Sequence, residues 1–285
     1  MNKKQILVIT GATASGKTKL SIQLAKKLNS EIICADSRIV YKNLDIVSAK
    51  PTIEEREGIK HHLIDIKSPN EDFSAGDFVE YSQNIIEGID SKNIIICGGT
   101  WFYIKSLLDD VSLPKCAINK ELREELEKLD STILYEKLKN LDPKRAELIH
   151  PNNKDKVIRS IEMCIELGEP ISTYQREENK KYSAKWFMPI WDREILYKRI
   201  NSRVDEMVKL GLIEEYKQNS IKYPNSKIIS NTIGYQEFIE FNDENLAIEK
   251  IKQHTRNFAK RQLTYFRSNK EIKLINNLED ILKEI

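Results

Sequence analysis

Four short apolar runs punctuate the first hundred residues: QILVIT (5–10), EIICAD (31–36), HHLIDI (61–66) and NIIICGG (93–99). Each is rich in isoleucine and bounded by Gly, Asp or Ser, which predicts strands buried on both faces. Segments 17–29 and 75–90 between them have helix length, and Ser74 with Asp77 three residues on predicts a capping box. Strands alternating with helices predict a parallel sheet with right-handed crossovers.

From about 115 to 183 strand-like runs vanish, charge becomes dense, and apolar residues recur at three- and four-residue spacing. This predicts a helical insertion. KWFMPIW (185–191) restores a strand, helices follow over 193–210, 212–218 and 244–268, and KLIN with LEDILKEI predicts a last strand and helix. The expected organisation is an α/β core over 1–114 and 184–285, interrupted by a helical domain over 115–183.

Composition narrows the class. With 285 residues, 46 Lys+Arg against 44 Asp+Glu and only 10 Gly and 8 Pro, the chain is neither low-complexity nor strongly charged overall. No apolar run approaches the roughly 18–20 residues of a membrane span, and MNKKQILVITGATASGK lacks the features of a secretory leader. A cytoplasmic location with no membrane partner is expected, and nothing demands more than a monomer. Cys34, Cys97, Cys116 and Cys164 have no ligand spacing, which speaks against zinc or a disulfide framework. His61 and His62 likewise lack ligand-spaced partners, so a structural role is expected for both.

The sharpest motif is GATASGKT at 11–18, which fits G-x-x-x-x-G-K-[ST] and lies between a strand and a helix. Glycines allow backbone N–H groups to curl around phosphate oxygens, and the helix N-terminus adds partial positive charge. Lys17 adds a full charge, and the Thr18 hydroxyl is expected to be able to ligate Mg²⁺. A nucleotide hydrolase usually carries an Asp at the end of a later strand, but NIIIC ends in Gly98-Gly99-Thr100. The strand-end acid is Asp36, which should face the phosphate loop as an Mg²⁺ ligand, a general base, or a helix-capping residue beside Ser37. Near the other end, residues 252–273 carry Lys252, Arg256, Lys260, Arg261, Arg267, Lys270 and Lys273 against Glu271 alone, with Tyr265 and Phe266 interleaved. By composition this is a solvated helix face as readily as a nucleic-acid surface.

Further strings complete the pattern: DIVSAKP (45–51), DFSAGDF (72–78), GGTWFYIKSLL (98–108), IHPNN (149–153), RINSRVDEM (199–207), IGYQE (233–237) and TRNFAKRQLTYFR (255–267). In this order and spacing, along nearly the whole chain, the sequence resembles the tRNA dimethylallyltransferases, also called tRNA isopentenyltransferases. The resemblance implies a P-loop NTPase-like sheet flanked by helices, with the insertion contacting the anticodon stem-loop. It implies transfer of a dimethylallyl group from dimethylallyl diphosphate to the exocyclic amine of the adenine just 3′ of the anticodon. Gly11, Ala12, Thr13, Ala14, Ser15, Gly16, Lys17 and Thr18, with Mg²⁺ on Thr18, would cradle the diphosphate, joined by Arg203. Asp36 becomes the general base, with Thr13 and Thr100 near the reacting centre. Transfer-RNA contacts are implied for Asp36, Ser37, Arg38, Ile39, Thr100 and Arg123, and for Asp155, Lys156, Val157, Ile158 and Arg159. Arg256, Lys260 and Arg261 complete that set.

The chain departs from the family pattern in several places. Ala12 replaces a usual Pro, and Val47-Ser48 replaces Gly-Thr, which raises the question of a positive φ at Val47. Asp155 puts a negative charge where Gln is common, and Asn231 and Gln236 lack charge. Three other readings remain open: an isopentenyltransferase acting on free adenylate, a small-molecule kinase using ATP in the same loop, and a nucleotide-gated RNA-binding module.

Overall fold

The computed structural model describes residues 4–109, 116, 119–173 and 182–285. The chain falls into two compact units, 1–109 with 180–285 and 110–179. In the first, isoleucine-rich runs form the middle of a six-stranded parallel sheet in the order β3-β2-β4-β1-β5-β6. The strands are β1 (Gln5–Thr10), β2 (Ile32–Cys34), β3 (His61–His62), β4 (Asn93–Gly98), β5 (Ser183–Pro189) and β6 (Ile272–Ile275). Ile6, Leu7, Val8, Ile9 and Ile94, Ile95, Ile96 are fully buried, as strands covered on both faces require.

The helices of this unit are α1 (Lys17–Leu28), α2 (Ala75–Gly88), α3 (Trp101–Leu108), then, beyond the insertion, α8 (Arg193–Lys209), α9 (Leu212–Lys222), α10 (Lys227–Ser230), α11 (Gln236–Glu240), α12 (Glu244–Ser268) and α13 (Leu278–Leu282). The predicted capping box opens α2, with the Ser74 hydroxyl accepting from the Asp77 N–H and Asp77 accepting from the Ser74 N–H. The run HHLIDI yields only two strand residues. Leu63 and Asp65 have φ of 64° and 57°, a left-handed backbone that no strand accommodates.

The second unit contains α4 (Lys120–Glu127), α5 (Ser131–Leu141), α6 (Pro143–Glu147) and α7 (Lys154–Leu167), followed by a 3₁₀ turn over Ile171–Thr173. Leu126, Leu134, Leu138, Ile149, Val157 and Ile161 form its own core. Its helix starts are set by local chemistry: side chains of Asn119, Asp130, Asp142 and Asn153 each accept from an N–H of the first turn. Asp142 also accepts from the N–H and hydroxyl of Ser172, tying α6 to the 3₁₀ turn. No helix among the described residues is long and apolar enough to cross a membrane.

Candidate functional site

The phosphate loop follows β1 and runs into α1. Gly11, Ala14 and Gly16 have φ of 141°, 60° and 86°, so the loop curls through backbone that glycine adopts freely and alanine tolerates at a cost. Its foundation is apolar: Ala12 and Ala14 are buried against Leu196 and Ile200 of α8 and Ala259 of α12. That packing holds the loop without the proline expected at residue 12. Two loop amides serve the protein itself, with Ser15 N–H donating to Ala12 O at 3.2 Å and Thr13 N–H to Gln262 Oε1 at 2.9 Å. The N–H groups that begin α1, at Gly16, Lys17 and Thr18, precede any intrahelical acceptor.

Three strand ends meet beside the loop. The Thr10 hydroxyl donates to Gly98 O at 3.0 Å, joining β1 to β4. Thr100 N–H donates to Ala35 O at 3.1 Å and Ala35 N–H to Cys97 O at 2.8 Å, joining β4 to β2. This contact demands glycine at 98, where a Cβ would stand 2.0 Å from Ala35 O. Asp36 follows immediately. One of its carboxylate oxygens accepts from Arg38 N–H at 2.8 Å and Ile39 N–H at 3.4 Å, closing a turn. The other oxygen makes no hydrogen bond among the described residues. Thr100 stands at the N-cap position of α3, yet its hydroxyl does not cap the helix; it accepts from Ser37 N–H at 3.2 Å. Asp36 and Thr100 are thus held on adjoining loops.

Helix α8 supplies the cations. Arg199 Nε donates to Ala14 O at 2.8 Å, and its guanidinium lies 4.3 Å from the centre of the Trp191 ring. Trp191 Nε1 in turn donates to Ser15 O at 2.8 Å. Arg199 therefore braces the phosphate loop from outside. Arg203, one turn on, makes no salt bridge among the described residues, only a 3.5 Å hydrogen bond to Ala49 O. Burial pulls its pKa below the ordinary value, while Asp36, Glu206 and Glu55 pull the other way. Lys17 is lowered by burial too, with Cys97 and Asp36 opposing and Arg203 reinforcing. Lys17, Arg203 and Asp36 therefore sit within mutual electrostatic reach.

The basic helix α12 divides its cations. Lys260 and Arg261 are exposed. Arg256 is half-buried and donates to Asn201 Oδ1 at 2.7 Å, and Lys252 is paired with Asp205 and Glu249. Gln262, between these cations, is 6% exposed and reaches both Thr13 and Gly99. Sequence reasoning passed over it, although an uncharged amide inside a basic string was the available signal.

In the second unit, Arg123 makes a bidentate pair with the buried Glu162, at 2.8 and 2.6 Å, and Arg159 reaches the same carboxylate at 3.3 Å. Lys156 is exposed. Asp155 lies in the first turn of α7, where a negative charge favours the helix dipole. Val157 and Ile158 are core residues at 0% and 3% exposure, as is Ile39 of the first unit at 8%. The expectation of RNA contact therefore does not extend to the side chains of Ile39, Val157 and Ile158. Ser37 and Arg38 remain partly exposed.

The departure at 47–48 is absorbed locally. Positive φ falls on Asn43 and Ala49, not on Val47. Glu215 of α9 gathers the loop by accepting from the N–H groups of Asp45, Ile46 and Val47 at 2.7–2.9 Å, and Tyr235 donates to it at 2.7 Å. Gln236 lies against Glu237 and His254, and Asn231 O accepts from Arg38 at 3.4 Å. His62 pairs with Glu31 at 2.5 Å and His61 Nδ1 lies 2.9 Å from Ile59 O, which are structural placements. Burial pushes the Cys34 and Cys97 thiols up, leaving them as unreactive packing groups.

A model of the IPP transferase family matches residues 39–269. A tRNA dimethylallyltransferase of Alkaliphilus oremlandii is 44% identical over 96% of this chain and 92% of its own length. One from Anoxybacillus flavithermus is 41% identical over 99% and 93%. Among solved structures, the tRNA isopentenylpyrophosphate transferase of Bacillus halodurans aligns with a TM-score of 0.70, at 37% identity over 96% of this chain and 90% of that one. A eukaryotic dimethylallyltransferase acting on tRNA aligns with a TM-score of 0.81, at 30% identity over 95% and 73%. With a glycine-rich loop after β1, an aspartate at the end of β2 two strands away across β4, and relatives matched along almost the full chain, this protein belongs to the IPP transferase family, the tRNA dimethylallyltransferases.

Proposed function

We propose that the chain transfers a dimethylallyl group from dimethylallyl diphosphate to the N6 amine of the adenine immediately 3′ of the anticodon in tRNA, releasing diphosphate. The observation that carries this reading is the grouping of Lys17, Arg203 and Asp36 at the ends of β1 and β2, beside the Thr100 hydroxyl. The N–H groups at the start of α1, Lys17 and Arg203 hold the diphosphate. As the allylic C–O bond breaks, charge grows on the departing oxygen, and these fixed cations are placed to stabilise it. A site with a half-buried guanidinium and no carboxylate salt bridge to it among the described residues suits a polyanionic diphosphate leaving group better than an activated water.

On the acceptor side, the adenine nitrogen forms the new N–C bond and its proton passes to the unpaired oxygen of Asp36. The Thr100 hydroxyl accepts from Ser37 N–H, so its own proton is free to donate to an acceptor in the site. An aryl amine is a weak nucleophile, so orientation supplies much of the rate. The target base must leave the anticodon stack to reach this site. Lys260 and Arg261 on α12 and the Arg123–Glu162–Arg159 cluster provide cations for the RNA backbone.

Mg²⁺ is expected at the Thr18 hydroxyl, a hard oxygen in the first turn of α1. Mg²⁺ is commonly held in that way, by a few protein oxygens together with substrate phosphates and water. Thr18 would hold it against the diphosphate, where it supplies neutralisation of the leaving group's charge.

The test uses labelled dimethylallyl diphosphate with Mg²⁺ and either unmodified tRNA carrying adenine after the anticodon or free AMP. Wild type is run beside Asp36→Ala. Label in tRNA alone, lost in the variant, is the expected result. Label in AMP would make this a free-nucleotide enzyme. Consumption of ATP with label in neither acceptor would make the loop an ordinary nucleotide site.

A further inference from the structure

Gln262 connects three segments that lie far apart in the chain. Its Oε1 accepts from Thr13 N–H in the phosphate loop at 2.9 Å, and its Nε2 donates to Gly99 O at the end of β4 at 3.0 Å. The side chain is 6% exposed, and Ala259 one turn earlier packs directly on the loop. A buried polar group is costly unless both of its ends are satisfied. Here the two ends are of opposite type and match one N–H and one C=O. Packing alone would be served as well by an apolar residue of the same length.

What the amide joins matters more than what it contributes to stability. Thr13 belongs to the loop that holds the diphosphate donor. Gly99 is followed by Thr100, whose hydroxyl accepts from the N–H of Ser37 beside Asp36. One carboxamide therefore spans the donor side and the acceptor side of the site. Gly99 is shaped to receive it: a Cβ there would stand 2.2 Å from Gln262 Nε2, whereas its next protein neighbour besides Gln262 is 3.5 Å away. Gly99 has no positive φ, so what favours glycine there is the close approach of the Gln262 amide, which an alanine would displace from Gly99 O.

We propose that Gln262 is a positioning residue for prenyl transfer, setting the separation between the diphosphate loop at Thr13 and the Gly99–Thr100 loop that adjoins Asp36. This rests on the prenyl-transfer reading above. Reacting atoms must be held at about 3–3.5 Å, and a misplacement of about 1 Å costs about a hundredfold in rate.

The experiment measures single-turnover transfer and the dissociation constants of dimethylallyl diphosphate and tRNA for Gln262→Ala, Gly99→Ala and the double variant. Each single change is expected to slow transfer about 30- to 100-fold, with both dissociation constants within about threefold of wild type. The double variant should be no slower than either single one, because each change breaks the same link. Gln262→Glu guards against a folding defect. Its ionised carboxylate keeps the acceptor for Thr13 but cannot donate to Gly99 O, and protonation restores the donor. Its rate relative to wild type should therefore rise at least about fivefold between pH 9 and pH 6, since burial raises a carboxyl's pKa.

Multiplicative losses in the double variant, weakened binding with an unchanged transfer rate, or a flat pH ratio for Gln262→Glu would each overturn the positioning role. Absence of transfer by wild type with donor and tRNA bound would overturn the prenyl-transfer reading, and the role of Gln262 with it.

Discussion

Gly98→Ala tests whether the strand-end junction is as tight as its geometry requires. The new Cβ would lie 2.0 Å from Ala35 O and 2.4 Å from Ala35 C. An ordinary C···O contact is about 3.3 Å, so the ends of β2 and β4 must separate by about 1.3 Å. Both atoms are backbone within a sheet, and no rotamer change relieves the clash. The bonds at risk are Ala35 N–H to Cys97 O at 2.8 Å and Thr100 N–H to Ala35 O at 3.1 Å. Overpacking of this kind costs about 1–3 kcal/mol, and a lost ladder bond adds about 1 kcal/mol. The total of about 2–4 kcal/mol corresponds to a fall in Tm of about 5–15 °C for a unit of this size. Asp36 adjoins the displaced carbonyl, so transfer should slow by about a hundredfold as well.

Gly88→Ala is the matched control. It closes α2 with nothing within 4 Å of its would-be Cβ, so alanine should leave activity unchanged and hold stability or raise it by up to about 0.5 kcal/mol. Scanning calorimetry and single-turnover transfer on both variants decide the matter. A Gly98→Ala protein that melts and reacts like wild type would refute the claim that backbone contact at this junction fixes the site.

Three further outcomes are expected. Lys17 must be protonated to hold a diphosphate, and burial lowers its pKa below the ordinary 10.5; donor affinity should therefore fall as pH rises through that lowered value, earlier than for a solvent-exposed lysine, as isothermal titration at a series of pH values would record. Asp142 is fully buried and accepts from Ser172 N–H, the Ser172 hydroxyl and Arg145 N–H; Asp142→Ala should destabilise the helical unit by about 3 kcal/mol in urea denaturation. Burial alone would raise the Asp142 pKa, but the Ser172 and Arg145 hydrogen bonds outweigh it and lower the value below 3.8. Its contribution is accordingly present above about pH 4 and lost as pH falls through the lowered folded-state value. Glu215→Gln places an amide NH₂ either against the N–H groups of Asp45 and Ile46 or against that of Val47 and the Tyr235 hydroxyl; a loss of about 2–3 kcal/mol and proteolytic cleavage within 43–51 are expected, and resistance to cleavage would count against Glu215 as the anchor of that loop.

Much was legible before any coordinates, because the signals were local. Isoleucine runs specify buried parallel strands, Ser74 and Asp77 specify a helix start, and 11–18 specify a phosphate loop, since each depends only on residues within a few positions. Where sequence reading went astray, a contact from elsewhere intervened. HHLIDI reads as a strand by composition, but the left-handed backbone at Leu63 and Asp65 ends it after two residues. Val47 seemed to threaten the loop geometry, whereas carboxylate oxygens from α9 organise the backbone and place positive φ at Asn43 and Ala49 instead. The side chains of Ile39, Val157 and Ile158 pack in the cores of their units, which leaves their backbone for the RNA contacts the resemblance implies.

The sequence by itself determined the layer architecture, the phosphate loop and the identity of the strand-end acid, because periodicity, glycine spacing and strand–helix alternation are written along the chain. Only the tertiary structure decided which loop amides are taken up by the protein itself, that Thr100 serves Ser37 and does not cap its helix, and that Gln262 bridges Thr13 to Gly99. Those outcomes depend on segments more than sixty residues apart meeting within hydrogen-bond distance, and such distances follow from packing the whole sheet and its helices, not from any local run of residues.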